Sequence, residues 1–218
     1  LLPRSLGDSS TIVFLNYRDS VERTNNYLVE QGFTTSFFHG GLEQKQREAS
    51  LYRFSNGSAN ILVSTDLASR GLDIPDIDNI IHYHLPESED GYIHRVGRTA
   101  RWEAQGKAFF LLGPGEEIPT YVDSEVENYE IPAELPAPAK PKMATIYIGK
   151  GKKDKISKGD ILGFLCKKGG LKSSDIGKID VNDRYAYAAI SRPRLREVLN
   201  NVRGEKIKGV KTIVEAVR

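Results

Sequence analysis

The sequence predicts two folded units: an α/β unit built on a parallel sheet with helices on both faces, and a small α+β unit with the element order βαββαβ. Three observations lead to this prediction. Residues 11–112 alternate short apolar runs with amphipathic helical stretches, residues 113–143 break that pattern with proline and acidic residues, and the net charge changes sign across the break. With 218 residues, of which 39% are hydrophobic, the chain is long enough to bury two such cores.

The strands of the first unit are predicted from runs of apolar residues. Thr11–Leu15 is almost continuously apolar, which is typical of a strand buried on both faces. Four further runs predict strands at Thr34–Phe38, Asn60–Ser64, Asn79–Tyr83 and Lys107–Leu112. Amphipathic stretches between the runs predict helices, among them Glu43–Phe54 and Glu89–Ala100. Ligands of such parallel sheets bind at the carboxyl ends of the strands, so we expect the functional residues there.

The second unit, residues 144–218, follows an acidic, Pro-rich linker at residues 116–143. The linker is expected to be extended over Pro132–Pro141 and to act as a spacer. In the second unit, strands are predicted at Thr145–Ile148, Ile176–Val181, Tyr185–Ile190 and Val210–Val217, and helices at Lys158–Lys168 and Arg192–Val202.

Charge is divided between the two halves of the chain. Residues 1–141 hold 12 Lys and Arg against 21 Asp and Glu, a net charge of −9, whereas residues 142–218 hold 19 against 8, a net charge of +11. A unit that basic is expected to bind a polyanion, the alternative being a basic surface without a partner.

Cys166 is the only cysteine, so no disulfide forms within the chain, and no apolar run reaches membrane-spanning length. We therefore expect a cytoplasmic protein.

The segment with the clearest chemistry is Tyr92–Arg101, which holds three arginines and a histidine. Arginine keeps its charge and presents a planar fork of donors that matches phosphate oxygens. The segment resembles the arginine-finger motif of DEAD-box RNA helicases, H-R-I-G-R-T-G-R, with Val96 in place of isoleucine and Ala100 in place of the second glycine.

Three other segments resemble motifs of the same family, in the same order. The first, Thr11–Tyr17, is similar to the opening strand of the second helicase domain. The next, His39–Gly41 together with Gln44–Arg47, resembles the family's H-G-x and Q-x-x-R motifs. The third, Ser64–Pro75, resembles the motif A-T-D-x-A-A-R-G-L-D-I. This resemblance implies that residues 1–115 form the second RecA-like domain of an ATP-dependent RNA helicase.

The resemblance also implies roles for individual residues. The implied catalytic fingers are Arg98 and Arg101, the implied cofactor-binding residues are Asp73, Arg95 and His94, and the implied RNA-backbone contacts are Gly40, Gln44, Arg47 and Thr65. A structural role as a helix cap is the alternative for Asp73, and a solvated helix position is the alternative for Gln44.

The cofactor implied by this resemblance is ATP. The sequence contains no G-x-x-x-x-G-K-[ST] phosphate loop and no D-E-A-D segment. Gly204–Thr212 is similar to a phosphate loop but leads into a predicted strand, whereas a phosphate-binding loop must be followed by a helix. We therefore expect Mg²⁺ to be held by another RecA-like domain upstream, and the chain alone to be inactive as an ATPase. No metal site is predicted in the chain itself.

The order βαββαβ with a high positive charge predicts an RRM-like RNA-binding domain in the second unit. Tyr147 on the first strand and Tyr185 and Tyr187 on the third strand are candidates for base stacking, the alternative being that these rings are ordinary amphipathic sheet residues. Lys150-Gly151 and Asp183-Arg184 depart from the general RRM pattern at the corresponding positions.

A more specific resemblance covers most of the second unit. Gly149–Gly163, Ile176–Tyr187 and Gly204–Lys211 resemble the C-terminal RNA-binding domain of DbpA-type DEAD-box proteins. The resemblance implies recognition of a hairpin in large-subunit ribosomal RNA and a role in bacterial ribosome assembly. The candidate RNA contacts are Lys150, Lys152, Lys153, Lys155, Lys158 and Arg184. Each lysine could instead be a solvated charge, and the sequence leaves open whether RNA uses the basic loop or the sheet face.

Two other functions remain open at this stage. One is a non-enzymatic RNA-binding scaffold that retains a helicase half, and the other is a bacterial RNA helicase with broad RNA targets. A DNA helicase of the same superfamily is a further rival. The expected partners are RNA and the upstream RecA-like domain, without a membrane, and the chain is expected to be a monomer.

Overall fold

A computed structural model of the chain describes residues 1–70, 77–98, 106–123 and 125–218. The chain divides into two compact units. The first comprises Leu1–Ser55 and Asn60–Lys140, and the second comprises Asn56–Ala59 and Pro141–Arg218. The first unit is α/β with a parallel sheet, and the second is α+β with an antiparallel sheet, so the predicted fold classes are confirmed.

Five parallel strands form the sheet of the first unit, in the order β2-β3-β1-β4-β5. The strands are β1 (Thr11–Phe14), β2 (Thr35–Phe38), β3 (Ile61–Ser64), β4 (Asn79–His82) and β5 (Lys107–Phe110). Each lies inside the range predicted from its apolar run. Ile12 and Phe14 pack into one apolar cluster and Val13 and Leu15 into another, because successive side chains of a strand point to opposite faces. The two-sided burial explains why the run is continuously apolar.

Helices cover both faces of this sheet. They are α1 (Leu2–Ser5), α2 (Arg18–Glu30), α3 (Gln44–Ser55) and α4 (Glu89–Val96). The short helix α1 was not predicted. Ser88 is the N-cap of α4, and its hydroxyl accepts a hydrogen bond from the Gly91 N–H. The negative charges of Glu89 and Asp90 in the first turn stabilise the positive end of the helix dipole. A 3₁₀ turn, Asp66–Ser69, follows β3.

The second unit is a four-stranded antiparallel sheet, in the order β11-β6-β8-β7, covered on one face by two helices. Its elements are β6 (Met143–Ile148), α5 (Lys158–Lys167), β7 (Ile176–Val181), β8 (Ala186–Ser191), α6 (Leu195–Asn201), β9 (Lys206–Ile207), β10 (Val210–Lys211) and β11 (Val214–Ala216). Ile146 and Ile148 of β6 point into a core with Phe164 and Leu165 of α5. The predicted βαββαβ order is present, with a small hairpin added before the last strand.

The last predicted strand, Val210–Val217, is wrong as a single element. Val210 and Lys211 pair with Ile207 and Lys206 in the β9–β10 hairpin, and only Val214–Ala216 joins the main sheet beside β6. Gly209, with φ of +76°, makes the hairpin turn. The β-branched composition of the segment is the same for both pairings, so it could not reveal the break.

The acidic segment after β5 contains neither helix nor strand in the part that the structure describes, residues 111–123 and 125–142. It is anchored to the rest of the first unit. The Tyr121 hydroxyl donates to the Pro86 carbonyl at 2.9 Å, and the Arg4 guanidinium donates to the Pro136 carbonyl at 2.8 Å. Tyr129 contacts the Phe109 ring, with centroids 5.0 Å apart. The boundaries predicted for a linker at 116–143 stay a prediction.

Within the described ranges, no helix is both long and apolar enough to cross a membrane.

Candidate active site and RNA-binding surfaces

Arg95 of α4 is completely buried and joins the strand ends of the first unit. Its guanidinium donates to both carboxylate oxygens of Asp66, at 2.5 and 3.0 Å, to the side-chain oxygen of Asn16 at 2.8 Å and to the carbonyl of His84 at 2.8 Å. Its Cζ lies 5.2 Å from the centre of the Phe14 ring. A buried cation is tolerated only when it is paired and hydrogen-bonded in this way. Arg95 therefore fixes α4 against the turn after β3 and the ends of β1 and β4.

Two histidines beside this guanidinium are held neutral. Burial first, and the Arg95 charge second, lower the pKa of His82 from its ordinary 6.5 to about 3. The same two causes, in the same order, lower the pKa of His84. His82 Nδ1 lies 3.3 Å from Arg95 Nη1 and must be the acceptor, because arginine can only donate. The His82 ring also stacks on Phe110, with centroids 4.6 Å apart.

Arg98, the first predicted finger, lies just beyond the end of α4 and is half-buried. Its Nε and Nη2 atoms both donate to the carbonyl of Ser69, at 3.0 and 2.6 Å. Ser69 ends the 3₁₀ turn that begins with Asp66. Two of the three arginines of the motif thus hold opposite ends of one turn, Arg95 through the Asp66 carboxylate and Arg98 through the Ser69 carbonyl.

Three other residues are predicted to lie at the nucleotide, and the structure describes one of them, His94. His94 is exposed, and its Nε2 lies 3.3 Å from the Asp90 carboxylate. Asp73 and Arg101 lie outside the described residues. The nucleotide contacts predicted for all five residues stay predictions. Because the described contacts of Arg95 lie within its own unit, its place in the structure is that of a positioning residue. In the described part of the chain, no group of three or more His, Cys, Asp or Glu is placed to hold a metal ion.

The four residues predicted to contact RNA in the first unit lie at the carboxyl edge of the sheet. Gly40 is in the turn after β2, and Gln44 is the exposed first residue of α3. The Arg47 Nε donates to the carbonyl of Leu42 at 3.0 Å, which fixes the loop before α3. Thr65 directly follows β3. The fold therefore brings all four to one edge, as the parallel topology predicts.

In the second unit, the basic loop after β6 is held against the β7–β8 turn. A Cβ atom on Gly151 would lie 2.1 Å from the Asn182 carbonyl oxygen, so only glycine allows this approach. The N–H of Lys152 donates to the carbonyl of Asn182 at 2.9 Å, and the N–H of Lys153 donates to that of Asp183 at 2.8 Å. These bonds place the lysine loop beside Arg184, as one surface.

The cations of this surface face solvent. Its exposed members are Lys152, Lys153, Lys155, Lys158 and Arg184, and Lys150 is half-buried. Lys208, at the tip of the β9–β10 hairpin, also belongs to it, because its ammonium donates to the Lys155 carbonyl at 2.9 Å. We call these seven residues the basic surface.

The three candidate stacking tyrosines form one cluster on the sheet face away from the helices. The rings of Tyr147 and Tyr185 are stacked with centroids 5.9 Å apart, and Tyr187 meets both edge-on, at 5.9 and 5.6 Å. Tyr187 is only 3% exposed, whereas Tyr147 and Tyr185 are half-buried. Two rings therefore remain accessible for stacking.

Carboxylates stand on the same sheet face as these rings. Asp180 is paired with Tyr187 across β7 and β8, and Glu215 is paired with Tyr147 across β11 and β6. Paired residues of antiparallel strands lie on one face of the sheet. The Asp180 carboxylate is paired with the Lys178 ammonium at 3.7 Å. The sheet face thus carries mixed charge, whereas the basic surface is mainly positive and meets the sheet face at Tyr185.

Sequence reasoning missed Asp66, Asn16 and Lys208. Asp66 lies in the segment Ser64–Pro75, but its pairing with Arg95, 29 residues later, has no local signal. Asn16 likewise meets Arg95 only through the parallel strand order. Lys208 could have been flagged, since it lies in the segment Gly204–Lys211 that resembles the RNA-binding domain.

Comparison with known protein families identifies both units. Residues 1–103 match the helicase conserved C-terminal domain, and residues 145–216 match the DbpA RNA-binding domain. The parallel sheet, with the arginine segment packed on the turn after β3, is thus the second RecA-like domain of a DEAD-box helicase. The chain belongs to the DbpA-type DEAD-box RNA helicases and corresponds to their C-terminal half.

Two curated relatives are similar to this chain over most of its length. It is 36% identical over 207 residues to the ATP-dependent RNA helicase DbpA of Escherichia coli (strain K12), covering 92% of this chain and 45% of that protein. It is 30% identical over 228 residues to the ATP-dependent RNA helicase DbpA of Bacillus subtilis (strain 168), covering 92% of this chain and 48% of that protein. The chain spans about half the length of these relatives.

Proposed function

We propose that this chain is the half of an ATP-dependent RNA helicase that supplies the finger arginines and part of the RNA path. The observation that carries the proposal is the 3₁₀ turn after β3. The residue before this turn, Thr65, is a predicted RNA contact, and the turn is held at one end by Arg95 and at the other by Arg98. This short turn thus connects the predicted RNA edge with the predicted catalytic arginine.

The proposed chemistry of Arg98 and Arg101 is electrostatic. Negative charge develops on the phosphoryl oxygens during ATP hydrolysis, and a guanidinium from across a cleft stabilises it by roughly 10³–10⁵ in rate. ATP and Mg²⁺ would be bound mainly by another RecA-like domain, with Asp73 and His94 facing the nucleotide. Arg95 would position α4, and with it Arg98.

On the RNA side, we propose that Gly40, Gln44, Arg47 and Thr65 contact the sugar–phosphate backbone of a single strand. Contacts to phosphate carry no sequence information, which suits an enzyme that acts on many duplexes. Specificity would then come from the second unit. Its basic surface would bind a structured hairpin of large-subunit ribosomal RNA, and the parent would remodel RNA during ribosome assembly in the cytoplasm.

The balance of charge supports the basic surface as the main RNA contact of the second unit. Lys152, Lys153 and Arg184 attract phosphates. The sheet face, in contrast, carries the Glu215 carboxylate and an Asp180 carboxylate that is paired with Lys178, so it offers a phosphate backbone less attraction. Tyr185 stacks on Tyr147 at the border of the two regions. A base entering from the basic surface could stack there without placing phosphates over the carboxylates.

The enzymatic part is tested by RNA-stimulated ATP hydrolysis in the full-length parent protein. Arg98→Ala should reduce the stimulated rate by about 10³-fold or more, with little change in RNA affinity. Arg98→Lys should recover little, because the planar fork is lost. Arg23→Ala on α2, remote from the motif in sequence, is the matched control. Absence of RNA-stimulated hydrolysis in the wild type would favour the non-enzymatic scaffold, and equal stimulated rates for wild type and Arg98→Ala would remove Arg98 from the catalytic residues.

The RNA target is tested separately by fluorescence anisotropy with this chain. A large-subunit rRNA hairpin should bind at least tenfold more tightly than an unrelated hairpin or a DNA hairpin of equal length. Equal affinity for both RNA hairpins would favour a helicase with broad targets. A preference for DNA would favour the DNA helicase.

A further inference from the structure

A cleft of about 740 Å³ borders the outer edge of β11 in the second unit. One wall is formed by the end of α6 and the residues after it, including Leu199 and Arg203, and the other by the strand itself and Ile213 before it. β11 lies at the end of its sheet, and among the strands that the structure describes only β6 pairs with it. The other side of its backbone is therefore open to the cleft.

The backbone groups of β11 alternate between β6 and this open side. The carbonyl of Ile213 and the N–H of Val217 both bond to the backbone of the β6 segment, each at 2.9 Å. Alternate residues of an antiparallel strand direct their backbone groups to opposite sides. The N–H and carbonyl groups of Val214 and Ala216 therefore point away from β6 and can pair with a further strand.

The opposite edge of the same sheet, strand β7, is less suited to pairing. Its register with β8 shifts between Ile176 and Ile179, and Lys178 and Asp180 form an ion pair on it. Irregularity and charge on an edge strand oppose the addition of another strand. β11, in contrast, keeps a regular register with β6, and Ile213 beside it is 65% exposed, more than any other large apolar residue of the second unit.

The charge of the cleft selects among the molecules that could occupy it. Arg203 and Arg218 line it and are exposed, and among the described lining residues Glu215 is the single acidic one. A second copy of the chain would bring the same arginines together, and like charges repel. Phosphate oxygens of RNA only accept hydrogen bonds, so they could not use the outward carbonyls of β11. An acidic peptide satisfies both the backbone and the arginines.

We propose that the β11 edge is a docking site for an extended, acidic segment of a partner protein, which adds a strand to the sheet. Its backbone bonds to Val214 and Ala216, and its carboxylates pair with Arg203. Side chains of a strand alternate, so its aliphatic residues contact Leu199 and Ile213. The site contains no residue of the basic surface and is independent of the proposed RNA path.

The test is fluorescence anisotropy of a labelled peptide of alternating glutamate and valine, E-V-E-V-E-V-E, titrated with this chain. This peptide should bind at least tenfold more tightly than K-V-K-V-K-V-K. Arg203→Glu should weaken its binding about tenfold, because an attraction becomes a repulsion. Arg196→Glu, which changes an exposed arginine of α6 outside the cleft, is the matched control and should weaken binding less than twofold. Equal weakening by both variants would mean only general attraction to a basic unit and would overturn the proposal.

Methylation of the peptide's backbone nitrogens tests the strand pairing without any change in the protein. One set of alternate nitrogens faces β11 and the other faces solvent. Methylation of one set should therefore abolish binding, and methylation of the other should reduce it less than threefold. Equal effects of the two sets would contradict strand addition.

Amide hydrogen exchange of the chain locates the contact. The N–H groups of Val214 and Ala216 should exchange more slowly with the acidic peptide, whereas that of Val217, already bonded to β6, should not change. Protection at β7 instead, or absence of binding by the acidic peptide, would refute the site. Protection of Val214 and Ala216 by single-stranded RNA, or by a higher concentration of the chain alone, would assign the edge to RNA or to a second copy and equally overturn the inference.

Discussion

Arg95 shows that an arginine in a functional motif can serve the fold as well as the chemistry. The motif resemblance alone places it at the nucleotide, whereas the structure buries it completely and gives it acceptors on three elements. A buried charge that loses one partner is costly, because the remaining charge cannot return to water. The Asp66 carboxylate is therefore expected to matter for stability as much as for activity.

We predict that Asp66→Asn destabilises the first unit by about 2–3 kcal/mol, because the amide turns a donor toward a guanidinium that has no other place for its charge. The value is lower than for a fully buried pair, since the Asp66 side chain is 41% exposed. Native-state amide hydrogen exchange of the α4 segment over a range of urea concentrations reports on this unit. Asp90→Asn is the control: its carboxylate meets Arg70 and His94 at the surface and should cost less than about 1 kcal/mol.

The His82 imidazole gives the first unit a pH-dependent stability. Its pKa is lowered to about 3 in the folded protein and is near 6.5 in the unfolded chain. The unfolded state therefore binds more protons between these values. The stability that neutral His82 contributes is fully present above about pH 6.5. As the pH falls toward 3, this one group lowers the free energy of unfolding by up to ~1.4 kcal/mol per pH unit.

Urea unfolding at a series of pH values from neutral to acidic measures this slope. His82→Phe keeps the stacking on Phe110 and removes the titration, so we predict a flatter profile for this variant. Because the pKa of His84 is also lowered, the His82→Phe variant should keep a smaller dependence of unfolding free energy on pH. An unchanged slope in His82→Phe would contradict the assignment.

At the scale of elements, local capping chemistry fixes where α5, the first helix of the second unit, begins. The Ser157 hydroxyl accepts from the N–H of Asp160, and the Asp160 carboxylate accepts from the N–H and hydroxyl of Ser157. The N–H of Ser157 first, and its hydroxyl second, lower the pKa of Asp160. Helix α5 starts at Lys158, the first residue of the predicted range, directly after the Ser157 of this capping box.

We predict that Ser157→Ala destabilises the second unit by about 1 kcal/mol, within the range of 0.5–2 kcal/mol for a lost helix cap. Amide hydrogen exchange of the α5 segment should become faster. Ser174→Ala is a suitable control, because the Ser174 side chain is exposed and makes no hydrogen bond in the described structure. Equal exchange in both variants would mean that packing alone holds the helix end.

The elements that could not be predicted share one cause. Strands β10 and β11 come from one continuous β-type stretch, Val210–Val217, and pairing partners outside it, β9 and β6, decide where it breaks. Similarly, Arg192–Val202 reads as one helix, but it begins as a 3₁₀ turn, Arg192–Arg194, before α6. Periodicity specifies the type of an element better than its ends, because the ends depend on non-local contacts.

For the whole molecule, the division of charge predicts how RNA affinity depends on salt. If Lys153 contacts a phosphate, Lys153→Ala should lower the salt slope of RNA binding by roughly 0.7–0.9, because one fewer counterion is released. Anisotropy titrations of the chain over a range of KCl concentrations measure the slope. Lys172→Ala, an exposed lysine outside the basic surface, should leave it unchanged. Equal slopes for both variants would remove Lys153 from the RNA contact.

The sequence by itself determined the two fold classes, the order of most strands and helices, and the family, because apolar periodicity, capping residues and the spacing of short motifs are all local. Only the tertiary structure decided what those motif residues touch. The pairing of the buried Arg95 with Asp66, the hydrogen bonds from Arg98 to the Ser69 carbonyl and the contact of Lys208 with the Lys155 carbonyl each bring together residues that are distant in the chain. Such contacts depend on strand order and register, which no local pattern encodes.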